Sequence, residues 1–137
     1  MRKIVINTDG GARGNPGPAG IGVAITDGDG TPLLEFGEYI GEATNNVAEY
    51  SALIRALEEL KKLGVTPEVP IEIRMDSELV VRQMQGIYKV KEPTLKQKFL
   101  RVKELLQGML GVTFVHVRRE QNKRADQLVN EAIDANV

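Results

Sequence analysis

Alternation of apolar and polar residues opens the chain. Ile4, Ile6 and Thr8 fall on one side of an extended segment and Val5, Asn7 and Asp9 on the other, which predicts a strand over Lys3 to Asp9. Gly20 to Asp27 repeats the pattern, with Ile21, Val23 and Ile25 on one face. Asp27-Gly28-Asp29-Gly30 then signals a hairpin turn into a third strand, Leu33 to Ile40, so the opening reads as an antiparallel meander. At this point the apolar period changes from two to 3.6. Leu53, Ile54, Leu57 and Leu60 mark the inner stripe of a helix. Cap candidates Thr44-Asn45-Asn46 precede it, and Lys62-Leu63-Gly64 supplies its stop.

Pro67 and Pro70 mark the next loop, and Ile71 to Asp76 reads as a fourth strand. Ser77-Glu78 caps a short helix to about Met84, and Pro93-Thr94 opens another with Phe99, Val102, Leu105, Leu106 and Met109 inward. Val112 to Val117 is the fifth strand. A last helix, from about Asn122 to Asp134, turns Ala125, Leu128, Val129, Ala132 and Ile133 inward. A strand that follows a helix implies a crossover, so the fourth strand is expected to lie parallel to the first. The order β-β-β-α-β-α-α-β-α predicts one α/β domain over residues 1–137, a mixed five-stranded sheet flanked by helices.

Composition narrows the chemistry. With 42% hydrophobic and 27% charged residues, the chain has the make-up of an ordinary globular protein. The absence of cysteine excludes disulfides, thiolate metal sites and a Cys nucleophile, and the single histidine, His116, argues against a His-rich zinc site. His116 alternates with Phe114 on the fifth strand and is expected to be structural. No apolar run reaches the length of a membrane span, and no signal-peptide core is present, so the expected location is cytoplasmic. A net charge of -1 gives no global sign of a polyanion partner, so any such role must rest on local patches.

Most of the nineteen acids fall on solvent faces, and four do not. Asp9 ends the first strand just before a Gly- and Pro-rich stretch, Gly10 to Pro18; alone it reads as an acid beside a turn. Glu49 precedes Leu53 by four residues and Leu57 by eight, on the inward stripe of its helix; alone it is an acid favoured by the helix dipole. Asp76 ends the fourth strand, where it could also cap the helix that follows. Asp126 lies on the inner side of the last helix near its start, another position the dipole favours. Parallel neighbouring strands end at one sheet edge, where helix starts also gather and where α/β proteins bind ligands. Four carboxylates converging there would repel one another, and divalent cations would relieve the repulsion. Oxygen-only donors suit Mg²⁺, with Mn²⁺ as a substitute. A pair of such ions can activate water and stabilise a leaving oxygen in phosphodiester hydrolysis without a protein nucleophile.

Four motifs carry a family resemblance. They are Thr8-Asp9-Gly10-Gly11 with Gly14-Asn15-Pro16-Gly17-Pro18, Thr44-Asn45-Asn46 with Ala48-Glu49, Met75-Asp76-Ser77, and Arg118 to Asp126. In this order, on these strands and helices, they resemble type 1 ribonuclease H from end to end. The resemblance implies the ribonuclease H-like fold, with sheet order 3-2-1-4-5 and the second strand antiparallel to the rest. It also implies endonucleolytic cleavage of the RNA strand of RNA–DNA hybrids with two Mg²⁺ ions, leaving 3′-hydroxyl and 5′-phosphate ends. Asp9, Glu49, Asp76 and Asp126 match the family's metal-binding acids, and Glu49 is implied to contact a ribose 2′-hydroxyl. Gly10, Gly11 and Asn15 match the loop that touches the RNA strand. Asn45 and Asn46 match readers of the minor groove, with helix capping as their other use, and Thr44 matches a DNA-phosphate contact.

Two departures set the chain apart from many bacterial members. Only Gly86 to Glu92 occupies the place of their basic helical protrusion, leaving Lys89, Lys91, Lys96, Lys98, Arg101 and Lys103 as candidate phosphate contacts. Hybrid binding is therefore expected to be modest and salt-dependent. The loop before the fourth acid is shortened to Arg118–Gln121, without the histidine many members carry there, and Arg118 becomes the candidate for a catalytic role beside the metals. This short form is similar to archaeal-type members, some of which also cut duplex RNA. The expected protein is a monomer, acts on RNA–DNA hybrids and has no membrane partner. A related superfamily nuclease for duplex RNA or a DNA junction, and a non-catalytic nucleic-acid-binding module, are the alternatives.

Overall fold

The computed structural model describes residues 3–137. Three long strands come first: β1 (Ile4–Ala12), β2 (Gly17–Asp27) and β3 (Pro32–Ala43). Helix α1 (Asn45–Lys62) leads to β4 (Ile71–Met75), α2 (Glu78–Met84) and α3 (Pro93–Leu106). Strand β5 (Val112–His116), a single 3₁₀ turn at Arg119–Gln121 and α4 (Lys123–Asp134) complete the chain. The sheet order is β3-β2-β1-β4-β5, as the resemblance implied. β2 runs antiparallel to β1 and β3, and β4 and β5 run parallel to β1.

The two faces of the sheet are covered differently. Ile4, Ile6, Val23, Ile25, Ile71, Ile73 and Met75 form one face and pack under Leu53, Leu57 and Leu60 of α1, Val80 and Val81 of α2, and Val102 and Leu105 of α3. Helix α4 covers β1, β2 and β3 from the other side with buried Ala125, Leu128, Val129 and Ile133. The period-2 pattern of the strands and the 3.6 pattern of α1 therefore meet in one core.

β1 and β2 are longer than their apolar runs. β1 continues three residues past Asp9, pairing Gly10 with Ile21, Gly11 with Gly20 and Ala12 with Ala19. Only residues 13–16 turn. Gly10 and Gly11 thus belong to a strand rather than to the start of a loop, and Gly10 is closely packed against α1. β3 likewise extends to Ala43, its last residues held by pairing to Gly17–Ala19 of β2.

Candidate active site

Each acid reaches the carboxyl edge of β1 and β4 by a different route. Asp9 lies on β1 on the side that faces α4, and its Cα partner across the ladder is Gly22. Glu49 comes on α1 from the other side. Its burial follows from the helical stripe it shares with Leu53 and Leu57, and it is 7% exposed, as is Asp9. Asp76 immediately follows β4, which ends beside Thr8 of β1. It does not cap α2, because the Ser77 side chain accepts from Val80 N at 3.2 Å and fills that role. The Asp76 carboxylate is thereby left for the cluster. Asp126 sits in the first turn of α4, lines the same cleft as Asp9, and its charge raises the proton affinity of the Asp9 carboxyl.

Carboxylate oxygens of Asp9, Glu49 and Asp76 lie within 4.8 Å of one another. Gly10 joins two of them: its backbone N–H donates to Asp9 Oδ1 at 3.0 Å and to Glu49 Oε1 at 2.9 Å. A Cβ at Gly10 would stand 2.2 Å from the Ala48 carbonyl oxygen and 2.6 Å from Glu49 N, so only glycine lets α1 come this near to β1. Among the described residues, none of the four acids forms an ion pair with Lys or Arg.

Proton affinity records the strain of this arrangement. Burial, then the negative charges of Asp76 and Asp126, pushes the Asp9 carboxyl up to about 8 despite the bond from Gly10. Burial, then Asp9 and Asp76, raises Glu49 well above the ordinary carboxylate range. Buried acids with no counter-cation are costly, and a clustered all-oxygen donor set is the kind that divalent Mg²⁺ or Mn²⁺ fits.

One cleft contains Asp9, Gly10, Gly11, Asn45, Glu49, Asp76, Arg118 and Asp126. Asn15, Thr44 and Asn46 are not part of its lining. Two of these three, and Asn45, spend side-chain groups on the fold. Thr44 Oγ1 accepts from Val47 N at 3.2 Å as the α1 cap, and Asn15 Oδ1 accepts from Asn45 N at 3.0 Å. Asn45 Oδ1 accepts from Ala12 N at 2.9 Å, which ties the α1 start to the end of β1, and Asn45 lines the cleft. Arg118 is exposed, and its guanidinium lies 3.4 Å from Glu120 rather than against an acid of the cluster.

His116 departs from expectation. It is exposed, not packed, and it lines the same cleft. The register explains this: His116 pairs with Met75, the residue before Asp76, so β5 delivers it to the edge where the acids gather. Arg13 and Asn130 also line the cleft, with Arg13 Nη2 donating to the Asn130 carbonyl at 3.4 Å. Counting residues forward from the end of β4 and β5 would have found His116. Arg13 and Asn130 meet only through the placement of α4, which no local pattern encodes.

Comparison with known proteins agrees with this geometry. A family described as reverse transcriptase-like matches residues 7–132. Ribonuclease HI of Halobacterium salinarum is 48% identical over 126 residues, 92% of this chain and 62% of that protein. A bifunctional protein of Mycobacterium tuberculosis is 46% identical over 134 residues, 97% of this chain and 36% of that protein. The chain thus spans less than two thirds of the length of these curated relatives. LC11-RNase H1, solved in complex with an RNA/DNA hybrid, superposes with a TM-score of 0.93 at 62% identity, covering 97% of this chain and 98% of that one.

Proposed function

The chain belongs to the type 1 ribonuclease H family, and on that premise we propose that it hydrolyses the RNA strand of RNA–DNA hybrids with Mg²⁺ held by Asp9, Glu49, Asp76 and Asp126. The observation that carries this reading is the acid cluster, without an ion pair among the described residues and with three carboxylates inside 4.8 Å at the carboxyl edge of β1 and β4. Divalent ions bound there would activate water and stabilise the leaving 3′ oxygen, which the chain's own side chains are not equipped to do.

The residues of the chain have separate tasks in this reading. Gly10 N–H holds Asp9 and Glu49 at a common point. Asn45, fixed by Ala12 N, presents its amide to the minor groove, where a ribose 2′-hydroxyl separates RNA from DNA. Glu49, which lines the same cleft, would accept from that hydroxyl. Arg118 and His116 stand at the rim, where a cation or imidazole can meet phosphate. A binding module without catalysis is disfavoured, because buried acids repel a polyanion unless a cation is present.

The experiment is a comparison of substrates. Labelled hybrid, duplex RNA and duplex DNA are each incubated with the protein and Mg²⁺. Cleavage of the RNA strand of the hybrid, with DNA duplex intact, is expected. Cutting of DNA, or no cutting of hybrid over a range of metal and salt, would overturn the reading. Duplex RNA cut as fast as hybrid would shift it to the broader nuclease.

A further inference from the structure

Asn122 is 1% exposed and polar, directly before α4, yet its side chain makes no capping bond to that helix. Its amide faces β1 instead. Asn122 Nδ2 donates to the Thr8 carbonyl at 2.9 Å, and Asn122 Oδ1 accepts from Asn7 Nδ2 at 2.9 Å. Both ends of one amide therefore grip the two residues that precede Asp9. Its own carbonyl accepts from Asp126 N at 3.1 Å, the first turn of α4. A short path of hydrogen bonds joins Asp9's strand to Asp126's helix through this one residue.

Glycines set the depth at which α4 rests. A Cβ at Gly22, the ladder partner of Asp9, would stand 2.1 Å from the Ala125 carbonyl, and one at Gly37 would stand 2.6 Å from the Leu128 carbonyl. The helix backbone lies directly on the sheet. Glycine contacts have no direction along the strand, so they fix height and not register. The Asn122 amide supplies the register, because its two bonds are met in one placement only.

We infer that Asn122 is a positioning residue that holds Asp126 of α4 in register with Asp9 of β1. This rests on the reading of the four acids as a divalent-cation site. Groups that orient metal ligands from behind are worth about 10–100-fold in metal affinity or activity. Leu128, Val129 and Ile133 of α4 are buried independently of the Asn122 amide, and this apolar packing is expected to keep the helix docked when the amide is removed.

The test uses the full chain as wild type, Asn122→Ala and Asn7→Ala. Mn²⁺ binding is measured by calorimetry without nucleic acid. Hybrid cleavage is measured across Mg²⁺ concentrations, and melting is followed in EDTA. For Asn122→Ala the expected result is about tenfold weaker Mn²⁺ binding, a kcat lower by about 10–100-fold and a hybrid KM within about twofold of wild type. Raising Mg²⁺ should recover part of the kcat, and a melt in EDTA that lies above the assay temperature shows that this recovery reads metal binding rather than refolding. Wild-type Mn²⁺ affinity and Mg²⁺ requirement in folded Asn122→Ala would overturn the inference. Should that variant not fold, Asn7→Ala, which removes one of the two bonds, decides. Mn²⁺ binding several-fold weaker supports the inference, and wild-type binding overturns it. A wild-type protein that binds no Mn²⁺ and cuts no hybrid would overturn the proposed function itself, an outcome distinct from an indifferent Asn122→Ala.

Discussion

Asp9 and Glu49 accept from the same backbone N–H, that of Gly10, at 3.0 and 2.9 Å, although one stands on β1 and the other arrives on α1. The shared donor is possible because Gly10 has no Cβ to strike the Ala48 carbonyl, which would lie 2.2 Å away. Gly10→Ala must push α1 off β1 and part the two carboxylates. Overpacking of this kind costs about 1–3 kcal/mol, so a lower melting point is expected. Hybrid cleavage should fall at least about 100-fold, since small misplacement at a reacting centre carries that cost. Steady-state kinetics and a thermal melt of Gly10→Ala check both.

Stability without metal should fall as pH rises. Asp9 is pushed up to about 8 by burial and by Asp76 and Asp126, and Glu49 is raised well above its usual range by burial and by Asp9 and Asp76. Between about pH 4, where an unfolded Asp titrates, and about pH 8, these two carboxyls hold more protons in the folded chain than in the unfolded one. The stability they contribute is full below that window and is lost as pH climbs through it. Melting in EDTA should therefore drop between about pH 5 and about pH 8, and Mg²⁺ should reverse the drop most strongly at the alkaline end. Asp9→Asn should melt above wild type at about pH 8 in EDTA, because it removes one of the repelling charges. A flat pH profile in EDTA would contradict the clustering.

Beneath the site a buried bond joins two helices. Tyr50 OH of α1 donates to Gln83 Oε1 of α2 at 2.6 Å, and burial pushes the Tyr50 phenol up to about 12. Tyr50→Phe leaves the Gln83 oxygen buried and unpaired, at a cost of about 1–3 kcal/mol. Denaturant titration should show that loss, while kcat of the folded variant stays near wild type.

Basic residues near the missing protrusion divide into free and committed. Lys89 and Lys91 are exposed, whereas Arg101 is paired with Glu58 at 3.3 Å and with Glu104. Lys89→Ala and Lys91→Ala should each raise the hybrid KM and lower the slope of log KM against log salt by about one. Arg101→Ala should change neither.

Much of this was legible in the residues. Strand alternation and the α1 stripe identified the five strands, the helices and the inward acids, because both patterns are local and periodic. Strand ends were not legible: β1 runs on through Gly10-Gly11 because β2 pairs with it, and pairing outweighs the low strand preference of glycine. His116 was read as structural, since alternation gives a face and not what covers it, and its exposed place in the cleft lining was not legible. Asn122 carried no visible signal, for an Asn before a helix looks like a cap, and only the folded chain turns its amide to β1. The hydroxyl of Thr44 and the amide oxygens of Asn15 and Asn45 serve the local backbone, so a motif match alone does not say which of their atoms remain free.

Single-turnover cleavage of an RNA-labelled hybrid tests the central claim most directly, comparing wild type with Asp76→Asn in Mg²⁺ and in EDTA. Ser77 and not Asp76 caps α2, so the substitution leaves the helix cap in place. Wild type in Mg²⁺ should yield RNA fragments with 5′-phosphate and 3′-hydroxyl ends, with EDTA abolishing the reaction and Asp76→Asn slowing it by at least about 10³-fold, as for loss of a group acting in the transition state. Equal cleavage by the two proteins, or cleavage that survives EDTA, would contradict the account.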